Sequence, residues 1–123
     1  MKWTIDYLEE EGVVLIKTSG RTEWDQQKQM CQEAFHFAQE HNAHKYLADH
    51  RGLKEGLSVL QIDGMPRMFR EIGLVAEDKV AILYGPALEK KFKFFQSVSN
   101  FALLNFQLFT DKDKAMEWLK SDR

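Results

Sequence analysis

Asn105-Phe106-Gln107-Leu108-Phe109-Thr110-Asp111-Lys112-Asp113-Lys114-Ala115-Met116-Glu117-Trp118-Leu119 is the stretch whose reading decides the fold. A short apolar strand runs into a polar cap, and the cap into a helix whose apolar residues fall on one face. Just upstream, Val80-Ala81-Ile82-Leu83-Tyr84 is a second apolar strand, and after Gly85-Pro86 a helical pattern runs from about Leu88 to Leu104. Strand, helix, strand, helix in this order is the signature of an α/β domain.

Working outward to the N-terminus, Trp3 to Leu8 and Val13 to Thr18 are two strand patterns separated by Glu9-Glu10-Glu11-Gly12, and they are expected to pair as a hairpin. The first alternates apolar with polar residues, as an edge strand does. The second is almost continuously apolar, as expected where both faces of a sheet are covered. Gly20 is read as the end of that strand, and Thr22 with Asp25 as the cap of a helix reaching about Glu40, with Trp24, Cys31, Ala34, Phe35 and Ala38 on its core face. Lys45 to Asp49 is the third strand. His50 to Gly56 is read as a polar loop, Ser58 to Ile62 as a short turn, and Pro66 as the first turn of a helix ending near Ile72-Gly73.

The 123 residues fit a single domain over 1–123, with 44% hydrophobic and 29% charged residues and a net charge of -2. That balance gives no general attraction to nucleic acid or to acidic membranes. The start of the chain lacks the apolar core of a signal peptide and no apolar run is long enough to span a bilayer, so the expected location is the cytoplasm. Cys31 is the one cysteine, and within a helical pattern it reads as a small buried apolar residue.

The hairpin followed by helix-strand repeats, Ala48-Asp49 at the end of strand three, Leu57-Ser58 upstream of Met65-Pro66, Val80-Ala81-Ile82, and the terminal run from Phe109 to Leu119 together resemble the STAS-like family related to the sporulation anti-sigma-factor antagonist (SpoIIAA-like), here an uncharacterised bacterial branch. The resemblance covers essentially the whole chain. It implies a right-handed β-α superhelix: a mixed sheet of about five strands largely in sequence order, an N-terminal antiparallel hairpin and about four helices. Regulatory members carry a serine at a helix start after strand three, which a partner kinase phosphorylates. The one hydroxyl between strand three and Pro66 is Ser58, although the Asp-Ser-Ser-Gly type of motif is absent and Ser58 stands well beyond Asp49. A serine capping a short helical turn is the plainer reading of the same residue.

Two surfaces are singled out for function. Asp49, His50 and Arg51 sit where a parallel strand ends, the place where ligands of open α/β sheets bind, and with Ser58 they make a candidate ligand or partner loop. Arg51 offers paired donors to an anion and His50 changes charge near neutrality, while a local Asp49–Arg51 pair in a solvated loop accounts for the same residues without a ligand. On the long helix, Leu88, Phe92, Phe95, Val98 and Ala102 form the main stripe, and Phe94 and Phe101 lie together toward its edge as a candidate partner or homodimer surface. His41 and His44 are three apart, with His36 and His50 flanking, but spacing supplies no further ligands, so no metal and no cofactor is expected. Neither a Gly-x-Ser-x-Gly nucleophile nor a phosphate loop is present. The sequence therefore reads as a noncatalytic regulatory or protein-interaction module. Its rival is a binder of a small anionic or apolar ligand or lipid, related in topology to CRAL-TRIO lipid-transfer domains, for which a closed apolar cavity is expected; membrane association ranks lower because the lysines beside Phe92, Phe94 and Phe95 stand against an acidic whole.

Overall fold

The computed structural model describes residues 1–121. Five strands, β1 (Lys2–Leu8), β2 (Val13–Arg21), β3 (Lys45–Glu55), β4 (Lys79–Leu83) and β5 (Asn105–Phe109), form one sheet in the order β1-β2-β3-β4-β5. The expected hairpin is there, β1 against β2 antiparallel, and every later neighbour is parallel. Four helices connect or follow the strands: α1 (Trp24–Glu40), α2 (Val59–Ile72), α3 (Glu89–Phe101) and α4 (Lys112–Lys120).

Strand alternation sorts the core onto two faces. Val14, Ile16, Tyr46, Ala48, Val80, Ile82 and Phe106 face the layer built by α1, α2 and α3. Val13, Leu15, Leu47, Ala81 and Leu83 face the other side, where Ala115 and Leu119 of α4 close over them. Coverage of both faces is why β2 and β4 read as continuous apolar runs. The terminal cap also forms as read: the Asp111 carboxylate accepts from the backbone N–H of Asp113 and Lys114, satisfying donors that begin α4.

Four boundaries differ from the sequence expectation. Gly20 does not end β2 but continues it at φ +90, and β2 remains paired to β3 out to Arg21 and Glu55. The segment from His50 to Glu55, expected as a loop, is accordingly strand. Gly52 shows the reason: a Cβ there would lie 2.7 Å from the Thr18 carbonyl oxygen, so the glycine serves close approach of two strands. α2 starts at Val59, not Pro66, because Ser58 and Gln61 form a reciprocal capping box (Ser58 N–H to Gln61 Oε1, 3.0 Å; Gln61 N–H to Ser58 Oγ, 3.2 Å) that outweighs the single backbone bond Pro66 cannot make. At the other end of the layer α3 stops at Phe101, with Leu103 in the left-handed region at φ 62.

One core element has no counterpart in the sequence reading. Lys79, the first residue of β4, is buried, and its ammonium donates to the carbonyl oxygens of Trp118 (2.6 Å) and Ser121 (2.8 Å) while lying over the Trp118 ring. A cation held by the last carbonyls of a helix is favoured by its dipole. Here it fastens α4 to the sheet.

Candidate functional site

Between the sheet and the three-helix layer lies a cavity of about 110 Å³. Ile16, Ala48 and Ile82 floor it from the sheet, and Met30 of α1, Met65 of α2 and Phe95 of α3 roof it. A single water needs about 10–15 Å³ of such space, so the void is no ordinary packing defect.

Few polar groups reach its wall, and each has a distinct state. The Tyr46 hydroxyl and Thr22 Oγ1 are both sealed from solvent and have no hydrogen-bond partner among the described residues. Burial, aided by the nearby Asp78 carboxylate, pushes the Tyr46 phenol upward, so it stays protonated. Burial likewise pushes the Cys31 thiol up to about 12, which leaves it unreactive at neutral pH. His50 is buried, lies 2.6 Å through Nδ1 from the Thr18 hydroxyl and stacks on Phe92 with ring centroids 5.8 Å apart. Desolvation takes its pKa down to about 4 against a smaller opposing pull from Asp49, and the ring is neutral at pH 7.

The cavity meets a polar recess at the carboxyl ends of β2 and β3. Arg21, Thr22, Glu23, Trp24, Ser58, Gln61 and Lys91 line that recess together with Gly56, and Thr22, Gly56 and Lys91 belong to both spaces. The elements explain the placement. Thr22 follows β2 directly, its N–H donating to the Glu55 carbonyl at 3.1 Å. Its expected role as a helix cap is not taken up: Glu23 occupies that position, without a side-chain cap bond.

The residues predicted from sequence are divided among these environments. Asp49 and Arg51 form a two-pronged pair (2.9 and 2.8 Å), which holds the Asp49 carboxyl below the usual carboxylate range. His50, between them on the strand, lines the cavity instead, so the triplet does not converge. Ser58 is exposed at the start of α2 and belongs to the recess. Phe94 packs partly buried against the core, whereas Phe101 is 92% exposed. The histidines also scatter: His41 stacks on Phe37 and lies tilted against Tyr7, His44 pairs with Asp78, and His36 with Glu40. Tyr46 and Lys91 are not singled out by sequence and Thr22 only as a helix cap; for Tyr46 the available signal is a lone hydroxyl-bearing residue in an otherwise apolar strand run, and for Lys91 there is none.

No family model and no curated protein matches the chain. Solved structures do. An anti-sigma factor antagonist from Mycobacterium paratuberculosis superposes with a TM-score of 0.68 at 13% identity, covering 98% of this chain and 94% of its own. An uncharacterised protein with a SpoIIAA-like fold from Shewanella loihica gives 0.58 at 20% identity, covering 96% and 92%. The anti-sigma factor antagonist SpoIIAA in its unphosphorylated form gives 0.54 at 14% identity, covering 98% and 99%. With a sheet in chain order, an antiparallel N-terminal hairpin and α4 alone on one face, this chain has the SpoIIAA-like fold of the anti-sigma factor antagonists.

Proposed function

We propose that the chain is a cytoplasmic, noncatalytic regulatory module that binds a protein partner through the start of α2. The observation that carries this reading is the sequence of exposures there: Ser58 is exposed, Val59 is 60% exposed and Leu60 83%, on a helix whose other apolar residues are buried or half-buried. Apolar side chains left in water beside a modifiable hydroxyl fit a contact that a charge can release. The shared fold supports the regulatory class, since two of the similar structures are anti-sigma factor antagonists and one is described in an unphosphorylated form. A phosphate on Ser58 would meet free N–H groups at the α2 terminus and place a dianion beside Leu60.

Affinity capture of the tagged chain from its own cell tests the reading. Wild type is expected to retain a partner that Leu60→Ser and Ser58→Asp both lose, and aspartate is itself a good cap, so loss by Ser58→Asp is not loss of the helix. A partner kept by Leu60→Ser but lost by Phe101→Ser would move the contact to the end of α3 and defeat this placement.

A further inference from the structure

We infer that the cavity holds the apolar chain of an anion-headed amphiphile, with its head group seated in the adjoining recess beside Lys91 and Thr22. The inference is independent of the partner-binding reading above.

The interior of the cavity suits an apolar guest. Its wall is aliphatic and aromatic, and the groups there that titrate, Tyr46, His50 and Cys31, are all neutral at pH 7. Water gains little in such a space, while a hydrocarbon chain recovers the dispersion contacts the void forgoes. The polar end of the guest is then set by the mouth. Thr22 lines both the cavity and the recess, and its Oγ1 has no hydrogen-bond partner among the described residues, which leaves a polar group at the junction. Lys91 reaches the same junction, and among the described residues it makes no ion pair, whereas the Arg21 guanidinium is engaged by Glu55 at 3.1 Å. Glu23 also lines the recess and opposes an anion, so the preference for a charged over an uncharged head rests on Lys91 and is modest. The start of α2, with its N–H groups beyond those used by the capping box, adds to the positive side.

Gly56 forms the rim. A Cβ at this position would lie 3.2 Å from Lys91 Cδ and 3.7 Å from Leu88, so a larger residue would narrow the opening while displacing only the flexible lysine stem. This makes Gly56→Val a plug at the rim.

The test is a titration of full-length, methyl-labelled protein with octanoate and, separately, octan-1-ol, read by NMR at the methyls of Ile16, Ile62 and Ile82 on the cavity wall. Both probes are expected to give saturable shifts, octanoate binding about tenfold tighter. Lys91→Gln should bring octanoate to the level of the alcohol and leave the alcohol unchanged. Gly56→Val should abolish both while the unliganded spectrum stays native. No saturable shift at these methyls overturns the inference, as does tighter binding of the alcohol or full binding by Gly56→Val. Flotation with phosphatidylglycerol vesicles in the absence of any octanoate response would assign the anion to a membrane surface and likewise overturn it.

Discussion

His50 illustrates how a single side chain changes meaning with its surroundings. In sequence it stands between Asp49 and Arg51 and resembles a titrating member of an anion site; in the fold it is buried, bonded to Thr18 and stacked on Phe92. Its pKa in the folded state, about 4, lies below the value of about 6.5 in the unfolded chain. Between those values the unfolded state binds more protons, so stability falls as pH drops through that window. From pH 7.5 to 5.0 the loss should be about 2 kcal/mol, read as a lower urea midpoint, and His50→Gln should remove most of the slope. Equal midpoints at the two pH values would show that the ring is protonated in the folded protein. Asp49 does not contribute in this window, since its pairing with Arg51 places its own loss at lower pH.

At the scale of elements, glycine position matters more than glycine count. Gly73 terminates α2 at φ +120, and a Cβ there would come within 2.8 Å of the Phe35 ring. Gly64, mid-helix in α2 and exposed, has only Trp24 Cη2 at 3.8 Å to meet. Gly73→Ala should therefore destabilise by about 2–4 kcal/mol and Gly64→Ala stabilise by about 0.5–1 kcal/mol, measured by chemical denaturation. A neutral or stabilising Gly73→Ala would show that neither the left-handed backbone nor the Phe35 ring excludes a side chain there. The same elements show what was legible in the residues. β5 and the Asp111 cap were readable because their signals are local: an apolar run bounded by a cap. The extension of β3 to Glu55 was not, because it depends on Gly52 allowing the Thr18 backbone to approach, a contact between strands far apart in sequence. Pro66 misled for a related reason, since the capping box that begins at Ser58, eight residues upstream, fixed the helix start. The cavity was hidden more deeply still: every residue of its wall looks like core, and only packing decides whether core residues touch.

The whole molecule is an asymmetric sandwich, three helices on one face of the sheet and α4 alone on the other. The thick side contains the void and opens at the strand ends beside the start of α2. The thin side is drawn tight by Lys79. Among the described residues no helix is long and apolar enough to cross a membrane.

The strand order has a kinetic consequence. Val13 pairs with Lys45, Lys45 with Lys79 and Lys79 with Asn105, so each parallel pairing closes a loop of roughly 30 residues and none needs a distant strand to be inserted between two others. Contact order is thereby kept low for a largely parallel sheet, and every closure is available as soon as the next unit has been made. Refolding should be a single fast exponential in stopped-flow tryptophan fluorescence, without a slow phase for strand reordering; a dominant phase slower than seconds that is independent of proline isomerase would contradict it. On a ribosome, the same arrangement lets the sheet grow from its antiparallel edge one strand at a time, each new strand laid against a neighbour that has already left the exit tunnel.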